Sequence, residues 1–203
     1  SMPMCWNLFG PLAVDSGLAA SAVAAWFPEA PGTTTAVRLE WSPGRCDPTF
    51  LDNRTAFDAA IEVAMPDGTL GVIGIETKYH EHSEPEEVPS ASRLAKYQQV
   101  TAASGVFVPG AVDKIIGTDL QQLWLDHLLV LSMLQHHSGA WSWGRYVLVH
   151  PAGNPSFARA ADRYRELLDD DSTFEVRTVE SFVSGDGPLP ADLREPFVER
   201  YLF

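Results

Sequence analysis

The residues best suited to do chemistry are two acids and an amine: Asp58, Glu76 and Lys78. Carboxylate oxygens and water are the ligands that Mg2+ prefers, with one or two carboxylates and several retained waters. An ammonium group beside such an ion orients or deprotonates a water, or steadies negative charge developing on a phosphate. The backbone carbonyl of Thr77 passes between Glu76 and Lys78 and offers one further ligand. Like charges on adjacent strands repel, and burial raises the cost, so a fold that keeps them together needs a cation between them. A lone Glu-x-Lys otherwise reads as an exposed strand face with a weak ion pair. Here the flank Val72-Ile73-Gly74-Ile75 is too apolar for an exposed face.

Two strands must carry these residues. Phe57, Ala59, Ile61, Val63 and Met65 share one period-two face, and Asp58, Ala60, Glu62 and Ala64 the other. After Pro66-Asp67-Gly68-Thr69, the run from Val72 to Tyr79 reads as a second strand. Pro-Asp-Gly suits a three-residue hairpin loop, with Gly68 taking the left-handed position. That loop pairs Met65 with Thr69 and sets Asp58 directly opposite Glu76, with Lys78 on the same face. A two-residue Asp67-Gly68 loop would send the two acids to opposite faces.

Asp58, the hairpin and Ile75-Glu76-Thr77-Lys78-Tyr79 resemble the PD-(D/E)xK nuclease superfamily, whose core places an Asp on one strand and Glu-x-Lys on the next. Cys5-Trp6-Asn7-Leu8-Phe9, Phe57-Asp58 and Glu76 to Glu81 further resemble a bacterial nuclease-like family within it, the PGN_0703-like domain family. Phe57 stands where the superfamily motif has its Pro. The resemblance implies a restriction-endonuclease-like core, Asp58 and Glu76 as metal ligands, Lys78 as the catalytic lysine, and Mg2+ or Mn2+ as cofactor. It also implies nucleic acid, DNA first, as the partner. Glu40, near the end of the Val37–Trp41 strand, is the candidate for an additional acid before the hairpin. Some superfamily members carry Gln and Tyr on the following helix; Tyr97 and Gln98 are loosely similar, with a different spacing. A catalytically inactive copy of the fold, serving as a binding module, is the alternative.

Other constellations are weaker. His80-Glu81-His82 and His136-His137 are metal-ligating types, but nothing in the sequence brings them together. Cys5 and Cys46 lack the context of a nucleophilic dyad. No glycine-rich phosphate loop occurs. Tryptophans such as Trp141 and Trp143 could stack bases, although core packing accounts for them more simply.

The remaining elements follow from periodicity and punctuation. Leu12–Phe27, Ser92–Ser104, a leucine-rich stretch from Leu120 to Leu134 capped by Thr118 or Asp119, a stretch begun by Asn154-Pro155, and 189–203 read as helices. Tyr146–Pro151 and Phe174–Val179 read as strands, and 43–54 and the acidic 80–90 as loops. The class is α/β, a mixed central sheet flanked by helices, in one domain over 1–203. Its core spans about 35–110, with an α/β elaboration over about 118–203.

With 14 Lys and Arg against 27 Asp and Glu, the 203 residues carry a formal charge of −13, which excludes a basic, non-specific DNA coater. Two cysteines cannot build a disulfide scaffold, and no leader-like basic segment precedes an apolar stretch. No apolar run approaches the about 20 residues of a membrane span. A cytoplasmic protein is expected; Cys5–Phe9 reads like the interior of a domain, so a longer chain fits as well.

Overall fold

The computed structural model describes residues 1–185 and 187–202. Five strands form one mixed sheet in the order β1 (Thr33–Trp41), β2 (Phe57–Ala64), β3 (Leu70–Thr77), β4 (Trp141–His150) and β5 (Phe174–Thr178). β1, β2 and β3 are antiparallel neighbours; β3, β4 and β5 run parallel. The C-terminal strands therefore complete the central sheet. The parallel β4 is buried along its second half, as its apolar run Tyr146–Val149 requires.

Helices cover both faces. One face carries α1 (Met2–Val14), α2 (Ser16–Trp26), α7 (Val179–Val183) and α8 (Ala191–Tyr201). The other carries α3 (Ala91–Ser104), α4 (Ala111–Ile115), α5 (Gln121–Leu134) and α6 (Pro155–Arg165). The helix expected over Leu12–Phe27 is two helices, because Asp15 leaves helical geometry and its carboxylate accepts the Leu18 N–H to start α2. Cys5–Phe9 lies inside α1. α5 has no side-chain cap; the Thr118 hydroxyl accepts the Leu120 N–H instead, and the Asp119 carbonyl accepts from Ser83. β4 begins at Trp141, so Trp141 and Trp143 are strand residues that pack against the two cores. α8 covers Ala191–Tyr201, shorter than the expected 189–203, and Phe203 lies outside the described residues.

The hairpin between β2 and β3 closes as the three-residue loop requires. Met65 N–H donates to Thr69 O at 2.9 Å and Gly68 N–H to Met65 O at 3.0 Å, with Gly68 at φ 86°. Ala59 pairs with Ile75 and Ala60 with Gly74, the expected register, and the ladder stops one step short of the expected Asp58–Glu76 pair. One expectation fails at the strand's start. Phe57 packs in the α5-side core, whereas Ala59, Ile61 and Val63 pack on the α1 side. Gly74 explains the switch: a Cβ there would lie 2.4 Å from the Phe57 ring, so only glycine lets that ring tuck across β3. β1 makes the matching change, Leu39 facing one core and Trp41 the other, with Glu40 between them at φ 48°.

Candidate active site

Because alternation breaks at residue 58, the regular β2–β3 ladder ends at Ala59–Ile75 and the Asp58 side chain takes over from backbone. Asp58 Oδ2 accepts the Thr77 N–H at 2.9 Å and the Thr77 hydroxyl at 2.6 Å. Across the same strand end, Lys78 Nζ lies 2.8 Å from Glu76 Oε1. Gln122 of α5 closes a ring with both: its Oε1 accepts from Lys78 Nζ and its Nε2 donates to Glu76 Oε1, each at 2.9 Å. The ring is selective for its arrangement, since an amide offers one acceptor and one donor side. Lys78 N–H is fixed by Val149 O of β4, and the Phe157 ring of α6 lies 5.5 Å from Nζ.

The niche is nearly closed: Asp58, Glu76 and Lys78 keep 9%, 7% and 8% of their surface. Burial pushes the Glu76 carboxyl up to about 7, with Lys78 pulling it down and Asp58 adding to the rise. Burial is the largest single influence on the Lys78 ammonium and would lower it, but the charge and hydrogen bond of Glu76 together with the charges of Asp126 and Asp58 outweigh it, and the net shift is upward. One turn beyond Gln122, the buried Asp126 faces the same charges. Burial holds its carboxyl well above the usual carboxylate range, and Glu76 adds to that. Asp126 Oδ2 and Tyr146 Oη are both buried without a partner among the described residues.

Glu40 is exposed at the sheet edge, in register opposite Asp58. Tyr97 and Gln98 lie elsewhere. Tyr97 is core, its hydroxyl accepting from Asn53 Nδ2 at 3.0 Å and its ring edge-on to Trp124, and Gln98 points to solvent on α3. The amide that does reach Glu76 and Lys78 is Gln122, on a later helix. Its signal was a polar pair, Gln122 and Asp126, spaced i, i+4 on a mostly apolar, leucine-rich helix. Cys5 sits behind the niche, and burial with the Asp58 and Glu76 charges pushes its thiol far above the ordinary range, which removes it as a nucleophile. His136 bonds Ser138 and stacks on Phe50, away from His80 and His82.

Among the described residues, no three His, Cys, Asp or Glu side chains gather closely enough to hold a metal ion by themselves. The donor chemistry nevertheless fits a hydrated divalent ion. Asp58 Oδ1 and Glu76 Oε2 make no hydrogen bond among the described residues, and two carboxylates plus water suffice for Mg2+. The two unpartnered atoms alongside them, on Asp126 and Tyr146, mark a polar niche whose needs the protein alone does not meet.

A mixed sheet between two helical layers, with acids and a lysine at the end of adjacent strands, defines a restriction-endonuclease-like class of fold. A family model of the PD-(D/E)XK nuclease superfamily matches residues 1–203, and the chain belongs to that superfamily. No match was found among curated proteins or solved structures. Among the described residues, no helix is long and apolar enough to cross a membrane.

Proposed function

We propose that the protein is a Mg2+- or Mn2+-dependent nuclease that hydrolyses phosphodiester bonds, with Asp58, Glu76 and Lys78 as its working residues. The observation that carries this reading is the ring of Glu76, Lys78 and Gln122 beside Asp58, with one carboxylate oxygen of each acid making no hydrogen bond among the described residues. Asp58 and Glu76 would hold the ion, with the Thr77 carbonyl and water beside them. When bound, the ion supplies a water of lowered pKa and polarises the phosphoryl oxygen. Lys78 then faces the attacked phosphate, where its ammonium steadies developing negative charge. Gln122 holds Lys78 and Glu76 together through one hydrogen bond to each, and Thr77 occupies one oxygen of Asp58 and leaves the other for the ion. DNA is the first substrate to test.

The −13 charge and the narrow opening favour a second reading, a non-cleaving binding module of the same fold. Incubation with single- and double-stranded DNA and RNA, with Mg2+, Mn2+ or EDTA, separates the two. Lys78→Ala is expected to lose cleavage by about 100-fold or more. Equal cleavage by wild type and variant would point to a contaminant. Absence of both cleavage and calorimetric metal uptake would leave the binding module.

A further inference from the structure

A cavity of about 440 Å3 opens beside the candidate active site, at the same end of the sheet. Its walls are largely flat: Tyr79, His80, His82, Pro151, Pro155 and Tyr201. Tyr79 and Tyr201 meet edge to face at 5.5 Å, and the Tyr79 hydroxyl donates to the Tyr201 carbonyl, which fixes that wall. His80 and His82 are exposed, and neither makes a hydrogen bond among the described residues. At the rim, the Glu180 carboxylate accepts the Ala152 N–H.

The cavity is tied to Lys78 by one side chain. Asn154 Nδ2 donates to the carbonyls of Tyr79 and Glu81, at 2.9 and 3.0 Å, while its Oδ1 accepts from Ser156 and Phe157 N–H to start α6. Phe157 in turn sits over Lys78 Nζ. Tyr79, the next residue after Lys78, is therefore held at a set distance from the lysine by the same turn that packs the lysine.

Charge decides what such a cavity is for. A chain of net charge −13 repels a polyanion at long range, so affinity for nucleic acid cannot come mainly from phosphate neutralisation. Stacking is short-ranged and nearly blind to salt, and each base stacked on an aromatic side chain is worth about 5- to 150-fold in affinity. The volume lies near the lower end for small-ligand sites, which run from roughly 300 to 1,000 Å3, and accommodates one nucleoside, not a stacked base pair.

We propose that this cavity receives an unpaired or terminal nucleobase of the strand whose phosphate is presented to Lys78, so that the substrate is single-stranded nucleic acid or a frayed end. This rests on the nuclease reading. The test uses the full chain in EDTA, so that binding is read without cleavage. The probe is a single-stranded oligonucleotide with terminal 2-aminopurine, compared with the same strand ending in an abasic site and with a blunt duplex. Binding is followed by fluorescence quenching and anisotropy at about 50 and 200 mM salt.

The expected result is a quenched probe and affinity about 5- to 150-fold weaker for the abasic strand, with a shallow salt dependence. The His80→Ala/His82→Ala double variant should weaken binding of the intact strand and leave that of the abasic strand unchanged. Equal affinity for intact and abasic strands, or tighter binding of the blunt duplex, would overturn the proposal, and neither outcome depends on the variant folding. The two readings fail separately. Lys78-dependent cleavage without base quenching removes the base site alone. Quenching without Lys78-dependent cleavage removes the nuclease and keeps the base site.

Discussion

The two faces of the sheet are built by different rules. Against α1 and α2 the packing is hydrocarbon and aromatic: Phe9, Trp26 and Phe182 meet edge to face with centroids 4.9 to 6.2 Å apart. Against α5 the core admits polar groups. His127 is buried between Tyr164 and Thr173, at 3.0 and 2.8 Å, and burial lowers its pKa to about 3, so it is neutral and fully partnered. Asp126 Oδ2 and Tyr146 Oη on the same side are buried without partners among the described residues. A fold keeps an unsatisfied polar group at a cost, and tolerates it where function needs the atom. Among the described residues, unpartnered buried groups also occur on the aromatic face, as at Trp26 Nε1, so what sets the α5 side apart is that its own, on Asp126 and Tyr146, lie beside the charges of the site.

That contrast breaks most sharply under large-to-small substitution. Phe9→Ala removes a fully buried ring and should cost about 3–5 kcal/mol, read as a lowered midpoint in chemical denaturation, while calorimetric Mg2+ or Mn2+ uptake by the folded protein stays unchanged. A loss of metal affinity would show that the two faces are coupled. Asp126→Leu should act with the opposite sign. Replacing an unpartnered buried carboxyl by an apolar group is expected to raise stability by about 1–3 kcal/mol and to weaken metal uptake. A destabilised Asp126→Leu with intact metal uptake would make Asp126 an ordinary part of the core.

The same contrast explains what was readable in the sequence. The hairpin register was, because Pro66-Asp67-Gly68 is local turn chemistry that fixes every pair from Met65–Thr69 outward. So was the α6 cap at Asn154. The switch of Phe57 to the other face was hidden, because its cause is the missing side chain of Gly74 on the neighbouring strand. The role of Gln122 was hidden for another reason. A leucine-rich helix with interspersed polar residues reads as amphipathic, with those residues outward, whereas α5 is buried nearly all round and carries them inward. Tyr97 and Gln98 were candidates only through loose similarity to superfamily members, and α3 turns one to the core and the other to solvent.

The gentlest probe of the comparison is pH, because it changes charge without changing shape. Glu76 has an ordinary value of 4.5 and is pushed up to about 7 in the folded protein, by burial first. Between those values the folded chain holds a proton that the unfolded chain has lost. Folding then binds protons, and stability falls as pH rises. The contribution of Glu76 is complete below about 4.5 and is lost as pH climbs through 7; Asp126, held well above its ordinary 3.8 by burial, acts in the same direction. Urea midpoints should therefore be lower at about pH 8.5 than at about pH 5.5, and Glu76→Gln should reduce the difference. Divalent metal requires the carboxylate form, so Mg2+ should restore the wild-type midpoint at the higher pH and leave Glu76→Gln little changed. On the aromatic face the Cys5 thiol is shifted up from an ordinary value of 9.0, above this pH range, so that side should contribute little to the pattern. A wild-type midpoint that is flat with pH, or rises, would mean that the niche is better solvated than its burial indicates.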